Sequence, residues 1–238
     1  MTPKADGPER RASSASTVPD ELVGAAVLAV VAHPDDESFG LGALLAAMVE
    51  AGSKVRVLCL TAGEASTLGA DGDLAELRRA ELAAAGRELG LAGVYLEGFP
   101  DGGLTALPDA VLDEAVDRRR GNSTVLVTFE PDGVTGHPDH RAASAAAARA
   151  ASRHGLVLAE WGVASGVAHR LRQETSVPFT SLDGPDVIEI IVERRRQRAA
   201  IAAHASQATG NAVLARRLEL QGDTERLRLQ RPSASPGA

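Results

Sequence analysis

Short apolar runs alternate with segments of helical length through most of the chain, and this alternation restricts the fold more than any other feature. The first run, Val27–Ala32, is apolar throughout, as expected for a strand buried on both faces of a sheet. Further strands are predicted at 54–61, 93–99, 124–129 and 156–159, with helices between them at 39–51, 74–89, 108–119 and 141–152. Strands joined by helical crossovers lie parallel, so we predict an α/β fold with three layers, α/β/α, a mostly parallel sheet and a single domain.

The alternation weakens after Trp161. An edge strand is predicted over 186–192, a basic helix over 193–205 and a final amphipathic helix over 216–229. The basic run Arg194-Arg195-Arg196 is interpreted as a solvated helix face.

The two ends of the chain differ in composition from the rest. Residues 1–20 are rich in Ser, Ala, Pro and charge, and no apolar segment follows their basic residues. We therefore predict a disordered extension there rather than a secretory signal. A similar disordered tail is predicted at 231–238, which leaves one domain over 21–230.

The composition argues against several classes of protein. Aromatic residues make up 3% of the chain and the formal net charge is −7, which disfavours a nucleic-acid-binding surface. The single cysteine, Cys59, permits no intrachain disulfide and fits a reducing compartment, so a cytoplasmic protein is expected. No stretch approaches the roughly 18 apolar residues of a transmembrane helix. The oligomeric state stays open, a homo-oligomer included.

Two polar motifs follow the first and the fourth predicted strands. His33-Pro34-Asp35-Asp36-Glu37 comes directly after the first, and Gly136-His137-Pro138-Asp139-His140 follows the fourth. In the common strand order 3-2-1-4-5 these two strands are neighbours, and the order reverses between them. Ligands of open α/β sheets bind outside the carboxyl ends of the strands at that point. The two motifs are therefore expected to meet in one site.

The side chains of these motifs are of the types that bind zinc, and a catalytic zinc keeps one position open for water. His33 and Asp36 are two candidate ligands and His140 is the third. Because His137 lies three residues before His140, one of these two can bind metal while the other faces the substrate. Asp35 is then free to act as general base towards a metal-activated water, and an imidazolium can stabilise an oxyanion or protonate a leaving amine. This set of groups predicts hydrolysis of an amide.

Other interpretations of the motifs stay open. Each motif by itself is explained more simply by helix capping, because an Asp at a helix start accepts from free backbone N–H groups. Fe²⁺ can replace Zn²⁺ at a site of two histidines and one carboxylate. A sugar- or nucleotide-binding module without catalysis is an alternative function, although acids rather than a Gly-x-Gly-x-x-Gly loop follow the first strand.

The motifs resemble those of the LmbE-like, or PIG-L, family of zinc-dependent de-N-acetylases, and the resemblance covers roughly residues 27–207. Ala32 to Glu37 matches the first signature of that family, and Gly136 to His140 matches the second. Lesser matches are Thr61-Ala62-Gly63-Glu64, Arg79-x-Glu81, Pro100-Asp101-Gly102 and His204-x-Ser206-Gln207.

The resemblance implies a Rossmann-like fold and assigns roles within the site. It implies Zn²⁺ bound by His33, Asp36 and His140. It also implies that Asp35 is the general base and that His137 is a charged stabiliser of the tetrahedral intermediate.

The same resemblance implies how the substrate is held and what it is. Substrate contacts are expected from Asp101 and Arg79, with Arg78 an equally good match for the latter, and His204 is expected to close the C-terminal helix onto the site. The implied reaction removes an N-acyl group, in the first place N-acetyl, from a small amino sugar or glycoconjugate. Thr135 stands where the mycothiol branch of the family has Tyr, which argues against a dedicated mycothiol enzyme. A thiol conjugate or an N-acylated secondary metabolite is the alternative substrate of the same site.

Overall fold

A central β-sheet organises the molecule, whose computed structural model describes residues 18–68 and 73–232. Within these residues the strands are β1 (Ala26–Val31), β2 (Lys54–Thr61), β3 (Gly93–Phe99), β4 (Val125–Phe129), β5 (Val157–Gly162), β6 (Val187–Ile191) and β7 (Thr224–Gln230). Their order across the sheet is β3-β2-β1-β4-β5-β7-β6. The first five strands run parallel, whereas β7 is antiparallel to both of its neighbours.

Helices cover both faces of this sheet. They are α1 (Asp36–Phe39), α2 (Gly42–Glu50), α3 (Leu74–Leu89), α4 (Asp109–Arg120), α5 (Gly133–Gly136), α6 (Pro138–His154), α7 (Ser165–Thr175), α8 (Arg195–Ala203), α9 (Ala205–Ala208) and α10 (Ala212–Gln221). Alternate residues of β1 enter two separate apolar clusters, with Ala29 in one and Leu28 in the other. Helices α2 and α3 contribute to the first cluster, and α4 and α6 to the second. The predicted three-layer α/β/α arrangement is confirmed.

The strand order places the site. Strand β1 pairs with β2 on one side and with β4 on the other, so that Ala29 faces both Val57 and Val127 across the backbone ladders. The predicted order 3-2-1-4-5 is therefore confirmed for the parallel strands. The carboxyl ends of β1 and β4 lie side by side where the order reverses, and each leads into one of the polar motifs.

The helix predicted over 216–229 is wrong. Helix α10 ends at Gln221, and Gly222 follows with a positive φ of 59°. The next seven residues form β7, in which Glu225, Leu227 and Leu229 are buried and alternate with more exposed residues. This period of two is that of a strand with one buried face. By contrast, the strand predicted over 186–192 is found as β6 at the edge of the sheet.

The basic run 194–196 does not form a uniformly solvated face. Arg194 is 4% exposed, and its guanidinium lies 2.6 Å from the fully buried carboxylate of Glu225. The other oxygen of Glu225 accepts a hydrogen bond of 2.5 Å from the indole of Trp161. Arg195 does extend into solvent. A buried guanidinium is tolerated here because β7 brings a carboxylate to it.

The outer parts of the chain bear on the predicted domain boundaries. Residues 1–17 and 233–238 of the segments predicted to be disordered, 1–20 and 231–238, lie outside the described residues, while Val18 packs against the core. Sequence patterning did not predict α7, which follows β5 directly.

None of the described helices is long and apolar enough to cross a membrane.

Candidate active site

The two polar motifs meet at the carboxyl ends of β1 and β4. The Nδ1 atom of His33 lies 3.2 Å from Nε2 of His140, and that nitrogen lies 3.2 Å from Oδ1 of Asp36. The second oxygen of Asp36 is 3.6 Å from His33 Nδ1. Ligand atoms about 2.0–2.2 Å from a tetrahedral zinc stand roughly 3.4 Å apart. These three side chains therefore have the spacing and the chemistry to hold a divalent metal ion.

Polar contacts on the far side of each imidazole orient the two histidines. The Nδ1 atom of His140 lies 3.0 Å from the carbonyl oxygen of Gly133, to which it can only donate, so Nε2 keeps its lone pair. The Nε2 atom of His33 lies 3.0 Å from Asp101 and 3.5 Å from Asp139, so its Nδ1 faces the other two ligand candidates. Carboxylate or carbonyl partners of this kind are typical of metal-binding histidines.

The electrostatics of this cluster favour a bound cation. Burial opposes ionisation of Asp36, but His140 and His33 hold its pKa well below the usual range. Two backbone N–H groups, those of Ala32 and His33, also donate to its carboxylate at 3.2 and 2.9 Å. Although burial opposes it, hydrogen bonds to Asp101 and Asp139 raise the pKa of His33 to about 10. The surrounding carboxylates thus create a strong preference for positive charge at this point.

The loop after β4 sets the position of His140. Glu130, which is buried, accepts hydrogen bonds from the backbone N–H groups of Asp132 at 2.7 Å and Val134 at 2.6 Å. Gly133 has a φ of +72°, and a Cβ atom on it would lie 2.6 Å from that of His140. Only glycine therefore fits at this turn.

His137 lies at the N-cap of α6, next to the three metal-ligand candidates. Its Nδ1 accepts a hydrogen bond of 3.2 Å from the backbone N–H of Asp139, so the neutral ring carries its proton on Nε2. Burial, His140 and His33 together lower its pKa. The structure thus favours a neutral donor at His137, which differs from the charged group expected from the sequence. Its ring nitrogens also lie close enough to His33 and His140 for it to be an alternative metal ligand.

Asp35, next to Asp36 in the sequence, has an unusual backbone conformation. Its φ of 121° is rare for a residue other than glycine, and its N–H donates to Glu37 at 3.0 Å. Its carboxylate accepts a hydrogen bond of 2.8 Å from Arg78. Burial and the neighbouring Asp36 raise the pKa of Asp35 to about 7, against the opposing effect of Arg78. A carboxylate with this pKa in a cleft is suited to accept and return a proton near neutral pH.

Arg78, rather than Arg79, belongs to the site. The Arg78 guanidinium is buried and donates to the carbonyl oxygens of Pro34 and Gly63 as well as to Asp35. The side chain of Arg79 is 54% exposed and lies 3.4 Å from Glu76 on the outer face of α3. A polar cavity lies in front of these groups, and Arg79 is not among the described residues that line it. The substrate contact predicted for Arg79 is therefore not supported by its position.

Two residues from the C-terminal part of the chain, His204 and Ser206, contact buried acids beside the site. The Nε2 atom of His204 lies 2.6 Å from Glu37, and both side chains are fully buried. Ser206 donates to Glu81 through its N–H at 2.8 Å and through its hydroxyl at 2.6 Å. Three of the four residues belong to the lesser matches to the family, and Glu37 is the last residue of the first motif. Glu130 was missed, because a single acid directly after a strand has no distinguishing pattern.

A polar cavity of about 400 Å³ opens in front of these groups. Asp101 lies in its wall, with one oxygen near His33 and the other accepting from the N–H of Ala65 at 2.9 Å. The other polar residues in the wall are His33, Asp35, Asp36, Ser66, Arg78, His137, His140, Gln207 and Asn211. The cavity offers hydrogen-bond donors and acceptors on several sides, as a small polar ligand requires.

Comparison with known proteins gives a consistent set of similarities. The family model PIG-L, described as GlcNAc-PI de-N-acetylase, matches residues 28–151, more than half of the chain. A 1D-myo-inositol 2-acetamido-2-deoxy-alpha-D-glucopyranoside deacetylase from Nakamurella multipartita is 31% identical over 78% of this chain and 80% of its own length. A protein of the same description from Streptomyces avermitilis is 37% identical over 52% of each chain. The chain thus spans most of the first relative and about half of the second.

Solved structures support the fold. The crystal structure of the antimicrobial reagent A40926 pseudoaglycone deacetylase superimposes with a TM-score of 0.65 at 22% sequence identity. The match covers 89% of this chain and 99% of the other. The α/β architecture therefore falls within a known fold over most of the chain.

Proposed function

We propose that this chain, which belongs to the PIG-L family of metal-dependent N-deacetylases, removes the acetyl group from the nitrogen of an N-acetylglucosamine-containing glycoconjugate. The convergence of His33, Asp36 and His140, with Asp35 directly beside them, is the observation that carries this proposal. A non-catalytic binding module has no need of a carboxylate that a buried arginine holds at 2.8 Å beside a metal site.

The names of the relatives indicate which conjugate to test first. Both are named for an N-acetylated glucosamine linked to inositol, and the polar cavity has the donors and acceptors to bind hydroxyl groups on a ligand of that kind. Thr135 replaces the Tyr expected for the mycothiol branch, so other N-acetylglucosaminyl conjugates belong in the same panel.

The metal is the second part of the proposal. We infer that His33, Asp36 and His140 hold a divalent ion, with Zn²⁺ the first candidate and Fe²⁺ the second. When bound, such an ion polarises the amide carbonyl and lowers the pKa of water.

In the proposed reaction Asp35 transfers the proton and His137 donates a hydrogen bond. Asp35 takes a proton from the attacking water as the new C–O bond forms, while Arg78 keeps its carboxylate in place. The N–H at Nε2 of His137 donates to the carbonyl oxygen as negative charge develops on it. When the C–N bond breaks, Asp35 returns the proton to the amine nitrogen. The products are acetate and a free amine.

The test measures release of free amine from the metal-loaded protein, first with inositol-linked N-acetylglucosamine and then with other N-acetyl amino sugars. Asp35→Asn should lower kcat by about 10²- to 10⁴-fold, because it removes the proton acceptor, while the metal content found by elemental analysis stays that of the wild type. Asp20→Asn, at an exposed position, is the matched control and should behave like the wild type. Near-normal turnover by Asp35→Asn would refute the role of that residue, and no amine from any substrate would refute the deacetylase.

We also infer a cytoplasmic location. The only cysteine, Cys59, is a buried free thiol, as is common in reducing compartments. Fractionation of cells that express the tagged protein tests this inference.

A further inference from the structure

A second cavity, of about 370 Å³, adjoins the metal-ligand candidates, and its walls are mostly apolar. Four aromatic rings line it, those of Phe39, Phe129, Trp161 and Phe179. We propose that this cavity, named here the acyl cavity, binds the alkyl chain of an N-acyl group longer than acetyl. This inference rests on the proposed amide hydrolysis and extends it to the acyl side of the substrate.

The position of the acyl cavity supports this assignment. It shares Asp36, Phe39 and His140 with the polar cavity, so the two cavities meet at the candidate metal site. An N-acylated amino sugar has the same division, with hydroxyl groups on one side of the amide and hydrocarbon on the other. When the amide carbonyl lies at the metal site and the sugar lies in the polar cavity, the acyl chain points towards the acyl cavity.

The size of the acyl cavity points to more than an acetyl group. One water molecule accounts for about 30 Å³ of liquid volume, and a methyl group is of similar size. A cavity of about 370 Å³ would therefore stay largely unfilled by the methyl of an acetyl group. Filling it with hydrocarbon removes apolar surface from water on both partners.

The wall of the acyl cavity is held firmly by buried polar contacts. Val134 has a φ of +66°, which is strained for a β-branched residue, and its carbonyl oxygen accepts from the N–H of Thr180 at 2.7 Å. The Thr180 hydroxyl and the Val134 N–H both donate to Glu130. These contacts join Val134 to the segment that carries Phe179, and both residues line the cavity.

A buried cation, Arg217, also lies in this mostly apolar wall. The guanidinium carbon of Arg217 is 5.5 Å from the ring centre of Trp161. Arg217 donates to the carbonyl oxygen of Phe39 and, at 2.6 Å, to Gln221. These bonds use two of the five N–H groups of the guanidinium, so an acyl chain that ends in a carboxylate is the competing ligand that the experiment must distinguish.

The first experiment uses the metal-loaded wild-type protein and N-acyl glucosamines with chains from acetyl to decanoyl. We expect kcat/KM to rise by about four-fold for each added methylene, until the cavity is full, because each one is buried. A flat or falling series beyond acetyl would overturn the proposal. Higher activity on an adipoyl than on a hexanoyl amide would also overturn it, since Arg217 would then recognise a carboxylate.

A second arm distinguishes the two sides of the amide. Octyl N-acetylglucosaminide carries its alkyl chain on the sugar, whereas N-octanoylglucosamine carries one on the acyl group. We expect only the second to gain activity over N-acetylglucosamine. A gain confined to the octyl glycoside would mean that the cavity accepts the other end of the substrate, which contradicts the proposal.

Substitution within the wall tests the location. Val177→Phe places an aromatic ring in the acyl cavity. It should lower the ratio of kcat/KM on the octanoyl substrate to kcat/KM on the acetyl substrate by ten-fold or more. Val23→Phe, at a residue that is 50% exposed and outside the cavity wall, is the matched control and should leave this ratio unchanged. An unchanged ratio in a folded Val177→Phe protein would argue against this site.

A binding measurement separates this inference from the hydrolase. Trp161 is the only tryptophan of the chain and lies in the cavity wall, so its fluorescence reports occupancy without turnover. N-octanoylglucosamine should change this fluorescence, and N-acetylglucosamine should change it far less. A fluorescence change without hydrolysis of any amide would refute the deacetylase activity and support the apolar subsite. Hydrolysis without a fluorescence change would refute the subsite alone.

Discussion

Two adjacent arginines of α3 have opposite surroundings. Successive residues of a helix are rotated by about 100°, so neighbours in sequence face different directions. Arg78 lies on the same stripe as Leu82, Ala85 and Leu89, all of which are buried. Arg79 lies off that stripe and reaches solvent. The helical spacing of the buried residues was thus a signal in the sequence that favoured Arg78 over Arg79.

Removal of the Arg78 guanidinium should impair the general base. Arg78→Ala should lower kcat by about 10- to 100-fold, because a hydrogen bond to a charged group contributes about 1.5–3 kcal/mol. Steady-state kinetics on the folded, metal-loaded variant give the measurement. Arg79→Ala is the matched control, and an equal loss of kcat in that variant would contradict the assignment of Arg78.

The other site residues differ in how far sequence alone defines them. Both motifs were predicted to meet, and the structure brings the polar side-chain atoms of His33, Asp36 and His140 to 3.2–3.6 Å from one another. Their role as metal ligands stays a prediction. The neutral form of His137 was not predictable, because it depends on a backbone N–H and on the burial of the ring.

At the scale of elements, the C-terminal strand and helices support the short helix that carries Asp36. Gln197 of α8 donates to the carbonyl oxygens of Ser38 at 3.0 Å and Phe39 at 3.2 Å. Arg194 donates to Gln197 and to Glu225 of β7, each at 2.6 Å. A continuous set of buried hydrogen bonds therefore joins β7 to the end of α1.

Loss of Arg194 should destabilise the whole fold. Arg194→Ala leaves the carboxylate of Glu225 buried without its cation, which costs about 3–5 kcal/mol in the free energy of unfolding. Urea denaturation followed by circular dichroism measures this change. Arg195→Ala, one residue further on and exposed, should change the free energy by less than about 0.5 kcal/mol. A small effect in both variants would show that the buried pair contributes little.

The elements could be predicted where their signal is local. The parallel strands are mostly apolar segments, and the helices between them have regular spacing, so both signals are local. The segment 216–229 fails this condition, because it contains the end of α10, a turn at Gly222 and the start of β7. The alternation of Leu227 and Leu229 with arginines was the available sign of a strand. Its place between β5 and β6 had no local signal at all.

At the scale of the molecule, the site joins segments from both halves of the chain, so a bound metal should stabilise the fold as a whole. A ligand at 100 times its Kd contributes about 2.7 kcal/mol, which in a protein of this size raises Tm by roughly 5–10 °C. Removal of the metal by a chelator should lower Tm by that amount, and added Zn²⁺ should restore it. Differential scanning calorimetry gives the measurement.

The specificity of that response can be checked with two histidine variants. His140→Ala removes a candidate ligand, so its Tm should no longer respond to chelator or Zn²⁺. His169→Ala, at an exposed position on α7, should keep the full response. A Tm response retained in His140→Ala would mean that the ion binds elsewhere.

The position of β7 has a consequence for the order in which the molecule assembles during synthesis. Strand β6 pairs with β7 and with no other strand among the described residues, and the outer edge of β5 is also covered by β7. The ribosome makes residues 187–191 well before residues 224–230. Until then the nascent chain carries an open strand edge at β5, of the kind that pairs with other chains. The parallel strands β1 to β5 can pair early, but the sheet is completed only after Thr224–Gln230 has been made.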